Sequence, residues 1–297
     1  MDRVAIEVVR RFNRTVTQQI GALDAEYLSR GRPLGASRVL WEVGPDGTDA
    51  RSLRSRLGLD AGYLSRLLTS LEGEGLVRLE PDPADKRVRR VRLTRSGRAE
   101  RRVLDLRSNA LASSLLAPFS ESERGRLIQA MDVVERLLIA GSIELRVEDP
   151  NSDAARFCIQ SYFAELDARF DEGFDPGRSI SADGAELTEP SGLLLVGQLR
   201  DEPVACGALK FHPRAPAEIK RMWVAPSWRG VGVGRRLLAQ LESHASKRGA
   251  KVVRLETNRS LREAIDLYRS AGFTEVEPFN AEPYAHHWFE KHLRTQQ

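Results

Sequence analysis

From Val224 the chain reads Val224-Ala225-Pro226-Ser227-Trp228-Arg229-Gly230-Val231-Gly232-Val233-Gly234-Arg235-Arg236, a strand end, a glycine-rich turn and a helix that opens on two arginines. The first N–H groups of a helix have no internal acceptor and sit at its positive end, so such a turn binds anions, phosphate and pyrophosphate above all. At 232 and 234 glycine matters because a Cβ would block close approach of phosphate oxygens. Two common phosphate loops do not fit. A nucleoside-triphosphate loop closes G-x-x-x-x-G with Lys-Ser/Thr, a pair this stretch lacks. A dinucleotide loop needs G-x-G-x-x-G directly after its strand. Counted from Gly230 the sixth residue is Arg235, from Gly232 it is Leu237, and Pro226-Ser227-Trp228 separates strand from glycines.

The elements that must position this turn follow from periodicity. Ile143–Val147, Leu193–Leu199, Val204–Phe211, Ile219–Val224 and Val252–Thr257 read as strands, with 152–170, 232–248 and 261–271 helical, 171–191 a loop, and up to two strands within 274–293. Upstream, an apolar stripe (Val4, Val8, Phe12, Val16, Ile20, Leu23) predicts a helix over 4–28. Short helices follow at 36–43 and 49–57. Asp60 is placed to cap a further helix, 61–73, whose Leu64, Leu67, Leu68 and Leu71 form one buried face. That leaves Tyr63, Ser65, Arg66, Thr69 and Ser70 outward, with the reach and hydrogen-bonding groups to read a major groove. Strands Val77–Glu80 and Val88–Leu93 flank the polar tip Pro81–Arg87, and helices at 95–117 and 121–140 follow. The pattern changes at Gly141, giving two domains, 1–141 and 142–297.

Charge divides the same way. Residues 1–141 hold 25 Lys/Arg against 19 Asp/Glu, and residues 142–297 hold 21 against 23. A basic front half suits a polyanion, and a near-neutral back half suits a small ligand. Two cysteines, Cys158 and Cys206, supply neither a metal set nor a disulfide framework and fit a reducing cytoplasm. Arg10, Arg11 and Arg14 break the N-terminus before any signal-like apolar run forms, and no stretch has the ~18 apolar residues of a membrane span.

Two resemblances gather these residues. Asp85-Lys86-Arg87-Val88-Arg89-Arg90-Val91-Arg92-Leu93-Thr94-Arg95-Ser96-Gly97 fits D-x-R-x-x-x-V-x-L-T-x-x-G, the wing signature of MarR-family transcriptional regulators. Leu53…Leu57-Gly58-Leu59-Asp60 and Leu71–Val77 also resemble that family. The resemblance implies a winged helix-turn-helix over about 4–140, with Arg87 in a minor groove and Asp85 holding its guanidinium. It also implies a homodimer built on the first and last helices of the domain. Its partner would be double-stranded DNA with a near-palindromic operator.

Arg229–Gly234 fits R/Q-x-x-G-x-G/A, the acetyl-CoA motif of GNAT acetyltransferases, and Glu218–Pro226 and Leu267–Phe273 resemble that family's flanking segments. The resemblance implies an α/β acyltransferase fold with a mixed central sheet. Acetyl-CoA would be the cosubstrate, with no metal, and a small-molecule or peptide amine the acceptor. Backbone N–H groups of Val231, Gly232, Val233, Gly234 and Arg235 would hold the pyrophosphate, with charge added by Arg229 and Arg235. Met222, Trp223 and Val224 would run along the pantetheine arm beside Gly230 and Asn258. Tyr268 would protonate the departing sulfur, the Val224 N–H would meet the developing oxyanion, and Glu218 is the candidate base. Other readings remain open: Tyr268 as a core tyrosine, Glu218 as an edge carboxylate paired with Lys220 or Arg221, Asn258 as a helix cap, and Trp223 and Trp228 as packing residues. His286 and His287, adjacent on a strand, point to opposite faces and receive no role. The chain thus reads as a regulator fused to an N-acetyltransferase, or as a regulator whose second domain senses acetyl-CoA or an amine without turnover.

Overall fold

The protein is described here by a computed structural model covering residues 2–82, 88–180, 183–213 and 215–293. Two compact units, Met1–Ile128 and Gln129–Gln297, divide the chain.

In the first unit, α1 (Arg3–Gln19) is capped by Asp2 and buries none of its residues. It stops nine residues short of the predicted 28. Ile20 closes on Val16, and Gly21 takes the left-handed φ of 64° that ends helices. Next come α2 (Leu34–Glu42), β1 (Thr48–Asp49), α3 (Ala50–Leu57) and α4 (Ala61–Gly73). Asp49 accepts from the N–H groups of Arg51 and Ser52 to start α3, and Asp60 accepts from Tyr63 N–H at 2.8 Å to start α4. Leu64, Leu67, Leu68 and Leu71 of α4 are buried with Val39 and Leu40 of α2. Each full burial contributes at most roughly 2 kcal/mol.

Strands β2 (Val77–Pro81) and β3 (Arg89–Leu93) pair antiparallel, and β1 adds to β3 through Thr48↔Val91, a third strand that periodicity did not reveal. The Leu-Thr-x-x-Gly part of the wing signature has a local cause. Thr94 donates to Gly75 O (2.7 Å) and accepts from Gly97 N–H (3.0 Å), capping α5 (Arg95–Leu116). Gly97 lies so close to the Leu76 carbonyl that any Cβ would run into it.

Helix α6 (Glu121–Gly141) carries the division between the units. Its last turns belong with the second unit. There Arg136 donates to Ser227 O (3.3 Å) and Arg229 O (3.0 Å), while Arg236 donates to Ala140 O (2.6 Å) and Ile143 O (2.7 Å).

The second unit continues with β4 (Glu144–Glu148), α7 (Asp153–Arg169), β5 (Gly192–Leu199), β6 (Glu202–Lys210), β7 (Ala217–Val224), α8 (Val233–Lys247), β8 (Val252–Thr257), α9 (Arg262–Ser270), β9 (Thr274–Val276) and β10 (His287–His292). The sheet order is β4-β5-β6-β7-β8-β10-β9, antiparallel except for the β7–β8 pair. Alternation sorts its two faces. Leu193, Leu195 and Ala205 pack with Leu237 and Leu241 of α8, while Leu194, Val196 and Cys206 pack with Ala155 and Cys158 of α7.

Strand β7 opens the sheet. Its register against β6 shifts between Cys206 and Ala208, and Arg221 sits at φ 53°, a left-handed value costly for a residue with a side chain. Against β8 it pairs only at Ala217↔Val253 and Glu218↔Arg254. Beyond Glu218 the two strands part, and the cavities described below lie there.

Candidate functional site

The glycine turn follows β7 after a short spacer. A short 3-10 turn, Pro226–Trp228, leads to Gly230 and Gly232 at φ 76° and 87°, and α8 starts at Val233 with no side chain capping it. Arg236 N–H makes the bond to Gly232 O (3.0 Å), so the N–H groups of Val233, Gly234 and Arg235 precede the helical ladder. The space a Cβ would take at Gly230 and Gly232 is open. This turn borders a cavity of about 410 Å³, which is also lined by Met222, Trp223, Val224, Arg229, Gly234, Arg235 and Tyr268. The residues present fit a pyrophosphate group there: bare backbone, free helix-start donors and glycine conformations that few other residues adopt.

A second cavity adjoins the first through Tyr162, Met222 and Tyr268, which line both. Lys220, Arg221, Glu256 and Asn258 line it, as do the rings of Phe163, Phe174 and Tyr284. Burial, then the Glu256 charge, pushes the Tyr268 hydroxyl well above its ordinary value, so it keeps its proton at neutral pH. Burial likewise raises the Glu256 carboxyl, against the pull of Lys220, whose ammonium is bonded to Oε1. Among the described residues the buried Oε2 of Glu256 has no hydrogen-bond partner. Asn258 accepts from Ser260 N–H (2.9 Å) and donates to Tyr284 O (2.7 Å), fixing the turn between β8 and α9 and the loop before β10.

On α4 of the first unit, Ser65, Arg66, Thr69 and Ser70 are exposed, as the leucine spacing predicts. Thr69 Oγ1 donates back to Ser65 O (3.0 Å), and Tyr63 is half-buried with the Arg66 guanidinium 5.8 Å from its ring centre. Asp85 and Arg87 lie outside the described residues.

Known proteins fit this division. The acetyltransferase (GNAT) family model matches residues 159–273, and the MarR family model matches 31–88. The IAA acetyltransferase of Azospirillum brasilense is 32% identical over 144 residues, 48% of this chain and 90% of that protein. The chain belongs to the GNAT acetyltransferase family. It also carries a MarR-family domain. An N-acetyltransferase of Schizosaccharomyces pombe is 31% identical over 141 residues, 44% of this chain and 81% of that protein. A MarR-family transcriptional regulator structure from Rhodococcus sp. RHA1 covers 45% of this chain and 96% of its own, at 19% identity and TM-score 0.38.

Within the GNAT unit two residues meet a different setting from the one expected. Glu218 does not reach either cavity. It is 6% exposed and paired with Arg254 (2.6 Å), Lys220 (3.4 Å) and His212 (3.4 Å). Burial alone would raise its carboxyl, but Lys220 and Arg254 outweigh burial and hold it below the usual range. A carboxylate so paired is a poor proton acceptor, whereas Glu256, which the sequence offers only as an imitation of a dinucleotide loop's ribose-binding acid, lines the second cavity. Glu218→Gln should therefore cost about 3 kcal/mol of stability at pH 7, read by thermal unfolding. The depressed value fixes the sign: the gap to the wild type closes as pH falls through it and Glu218 becomes protonated.

Arg229 is also less available than its motif suggests. Its guanidinium bonds Val224 O (2.8 Å) and Glu165, with Glu263 at 3.6 Å, so it braces the turn against α7. Among the described residues Arg235 meets only the Ser270 hydroxyl (2.8 Å) and carbonyl (3.4 Å), with no carboxylate to cancel its charge. The side chains of Val231 and Val233 pack into the core of α8 rather than line a cavity, so only their backbone faces the turn. Trp223 lies in the α7-side core and donates to Glu165 (3.0 Å).

Proposed function

We propose that the GNAT unit transfers acetyl from acetyl-CoA to an amine and that the MarR domain binds operator DNA as part of a homodimer. The observation that carries the enzymatic reading is Tyr268, the buried hydroxyl lining both the cavity beside the glycine turn and the cavity that holds Glu256. Acetyl-CoA supplies an acetyl group activated as a thioester. The helix-start N–H groups and Arg235 bind its phosphates, and Met222 and Val224 guide the chain that leads inward. Glu256 takes the proton the amine must lose as its nitrogen bonds to the carbonyl carbon. The Val224 N–H meets the charge that develops on oxygen. Tyr268 gives its proton to sulfur as the carbon–sulfur bond breaks, which balances the transfer.

The test is release of CoA thiol with a panel of amines. Glu256→Gln should lower kcat/KM about 100-fold. It should also remove the acid limb of the pH profile, which in the wild type rises with pH through a Glu256 value above the ordinary carboxylate range. Acetyl-CoA binding with no turnover on any amine would overturn the enzymatic reading.

For the MarR domain, the support is the exposed polar face of α4 and the apolar stripe of α1, where Val4, Val8 and Phe12 are exposed without a covering neighbour in their own helix. Such stripes mark association surfaces. Arg66→Ala should weaken binding to a near-palindromic operator about tenfold in gel shifts at physiological salt, with the dimer intact by light scattering. Unchanged affinity would remove α4 as the reading helix.

A further inference from the structure

The second cavity limits which amine can enter. Among the described residues its charged lining is Lys220, Arg221, Glu256 and Glu282. Both cations are engaged. The Lys220 ammonium bonds Glu256 Oε1 and lies 3.4 Å from Glu218. The Arg221 guanidinium has a partner of its own, with its central carbon 5.1 Å from the centre of the Phe163 ring. Glu282 is spent on structure. Its Oε2 accepts from Ile180 N–H (2.7 Å) and the Ser179 hydroxyl (3.0 Å), and its Oε1 accepts from Tyr284 N–H (3.3 Å). Glu256 differs. Its side chain is 9% exposed, and its buried Oε2 has no hydrogen-bond partner among the described residues. A buried acceptor without a donor costs free energy, so this oxygen calls for an N–H from a ligand.

Aromatic rings form much of the remaining wall. Phe163 and Phe174 have centroids 5.4 Å apart, and Phe174 and Tyr284 have centroids 5.0 Å apart. The enclosed space is about 100 Å³. That is less than the roughly 150 Å³ that takes a benzene ring, so the body of the acceptor is compact. A second ammonium would meet two cations and no free carboxylate. A carboxylate on the acceptor would have to draw Lys220 or Arg221 away from its present partner. A peptide would bring amide groups against the rings with nothing to pair them. Each carries the cost of a buried polar or charged group left unmatched.

We infer that the acceptor is a small primary monoamine, alkyl or aralkyl, whose nitrogen donates to Glu256 and whose uncharged body lies against the Phe163–Phe174–Tyr284 wall. This rests on the acetyltransferase reading above.

The test uses the full chain and matched pairs: pentylamine against cadaverine, which adds an ammonium, and phenethylamine against phenylalanine and phenylalaninamide, which add a carboxylate and an amide. Thiol release should favour the plain amine of each pair by at least about tenfold in kcat/KM. Phe174→Glu sets a carboxylate on the wall and should raise cadaverine relative to pentylamine by about tenfold, with acetyl-CoA affinity by calorimetry as in the wild type. Phe174→Leu should leave that ratio alone. An unchanged ratio in a Phe174→Glu variant that still binds acetyl-CoA overturns the placement of the body on that wall. Equal or better use of cadaverine, phenylalanine or phenylalaninamide by the wild type overturns the inference and leaves the acetyltransferase reading standing. If acetyl-CoA binds and no amine is turned over, the acetyltransferase reading fails. Calorimetry with CoA present then decides the cavity alone: binding of pentylamine or phenethylamine without cadaverine or phenylalanine supports the assignment, and any other pattern overturns it.

Discussion

Tyr268→Phe should lower acetyl transfer about 100-fold while acetyl-CoA binding and thermal stability stay close to those of the wild type. Tyr268 is 5% exposed and packs between Phe273 and Phe289, with ring centroids at 5.9 and 6.0 Å. Phenylalanine keeps those ring contacts and leaves no cavity, so only the hydroxyl is lost. The raised hydroxyl value means that Tyr268 holds its proton until a stronger base appears. A departing thiolate in a buried site is such a base, and water has little access to replace the donor. The comparison is kcat from thiol release against acetyl-CoA affinity from calorimetry. Full turnover in the variant would return Tyr268 to the core tyrosine that its helical face also allows.

Gly97→Val should unfold the MarR domain at temperatures where the wild type is folded. A Cβ at this position meets the Leu76 carbonyl, a backbone atom that cannot rotate away, and the neighbouring Thr94 bonds to Gly75 and Gly97 fix both chains in place. Valine adds two further methyl groups to that clash. Overpacking of this kind costs about 3 kcal/mol or more, a large part of the roughly 5–15 kcal/mol that stabilises a typical domain. The readout is paired: operator binding lost and the first unfolding transition lowered, with acetyl-CoA binding retained. An unchanged transition would mean that the helix start at α5 can move off β2, and the proposed cause of the glycine in the wing signature would fall.

Features set by neighbouring residues were legible in the sequence, and features set by distant pairing were not. Asp60 before α4, the four leucines on its inner face and the glycines at 230, 232 and 234 act within a few residues of themselves, and each lies where local rules put it. The end of α1 shows the limit of periodicity, because its apolar stripe runs on through Ile20 and Leu23 while Gly21 stops the helix. β1 is two residues long and exists only through its bonds to β3, more than forty residues away.

The positions of Glu218 and Glu256 were illegible for the same reason. Glu218 stands beside Arg254 because β7 and β8 pair in that one register, and the pairing fills the carboxylate with cations. Glu256 lies past the point where the strands separate, a point set by the bulge at Arg221. No spacing along the chain encodes that separation, although the run Lys220-Arg221 in an apolar strand was its visible trace.

The four hydrogen bonds from Arg136 and Arg236 give the GNAT unit a border that its motifs do not display. The family match starts at residue 159, yet two carbonyls of the phosphate turn are held by an arginine on a helix that precedes it. A fragment trimmed to the matched span would keep every glycine of the turn and lose the side chain that fixes its carbonyls. Its weakened grip on CoA would then measure the cut rather than the site. The smallest portable form of the GNAT unit begins within α6, and any transplant of it into another chain has to carry those helical turns along.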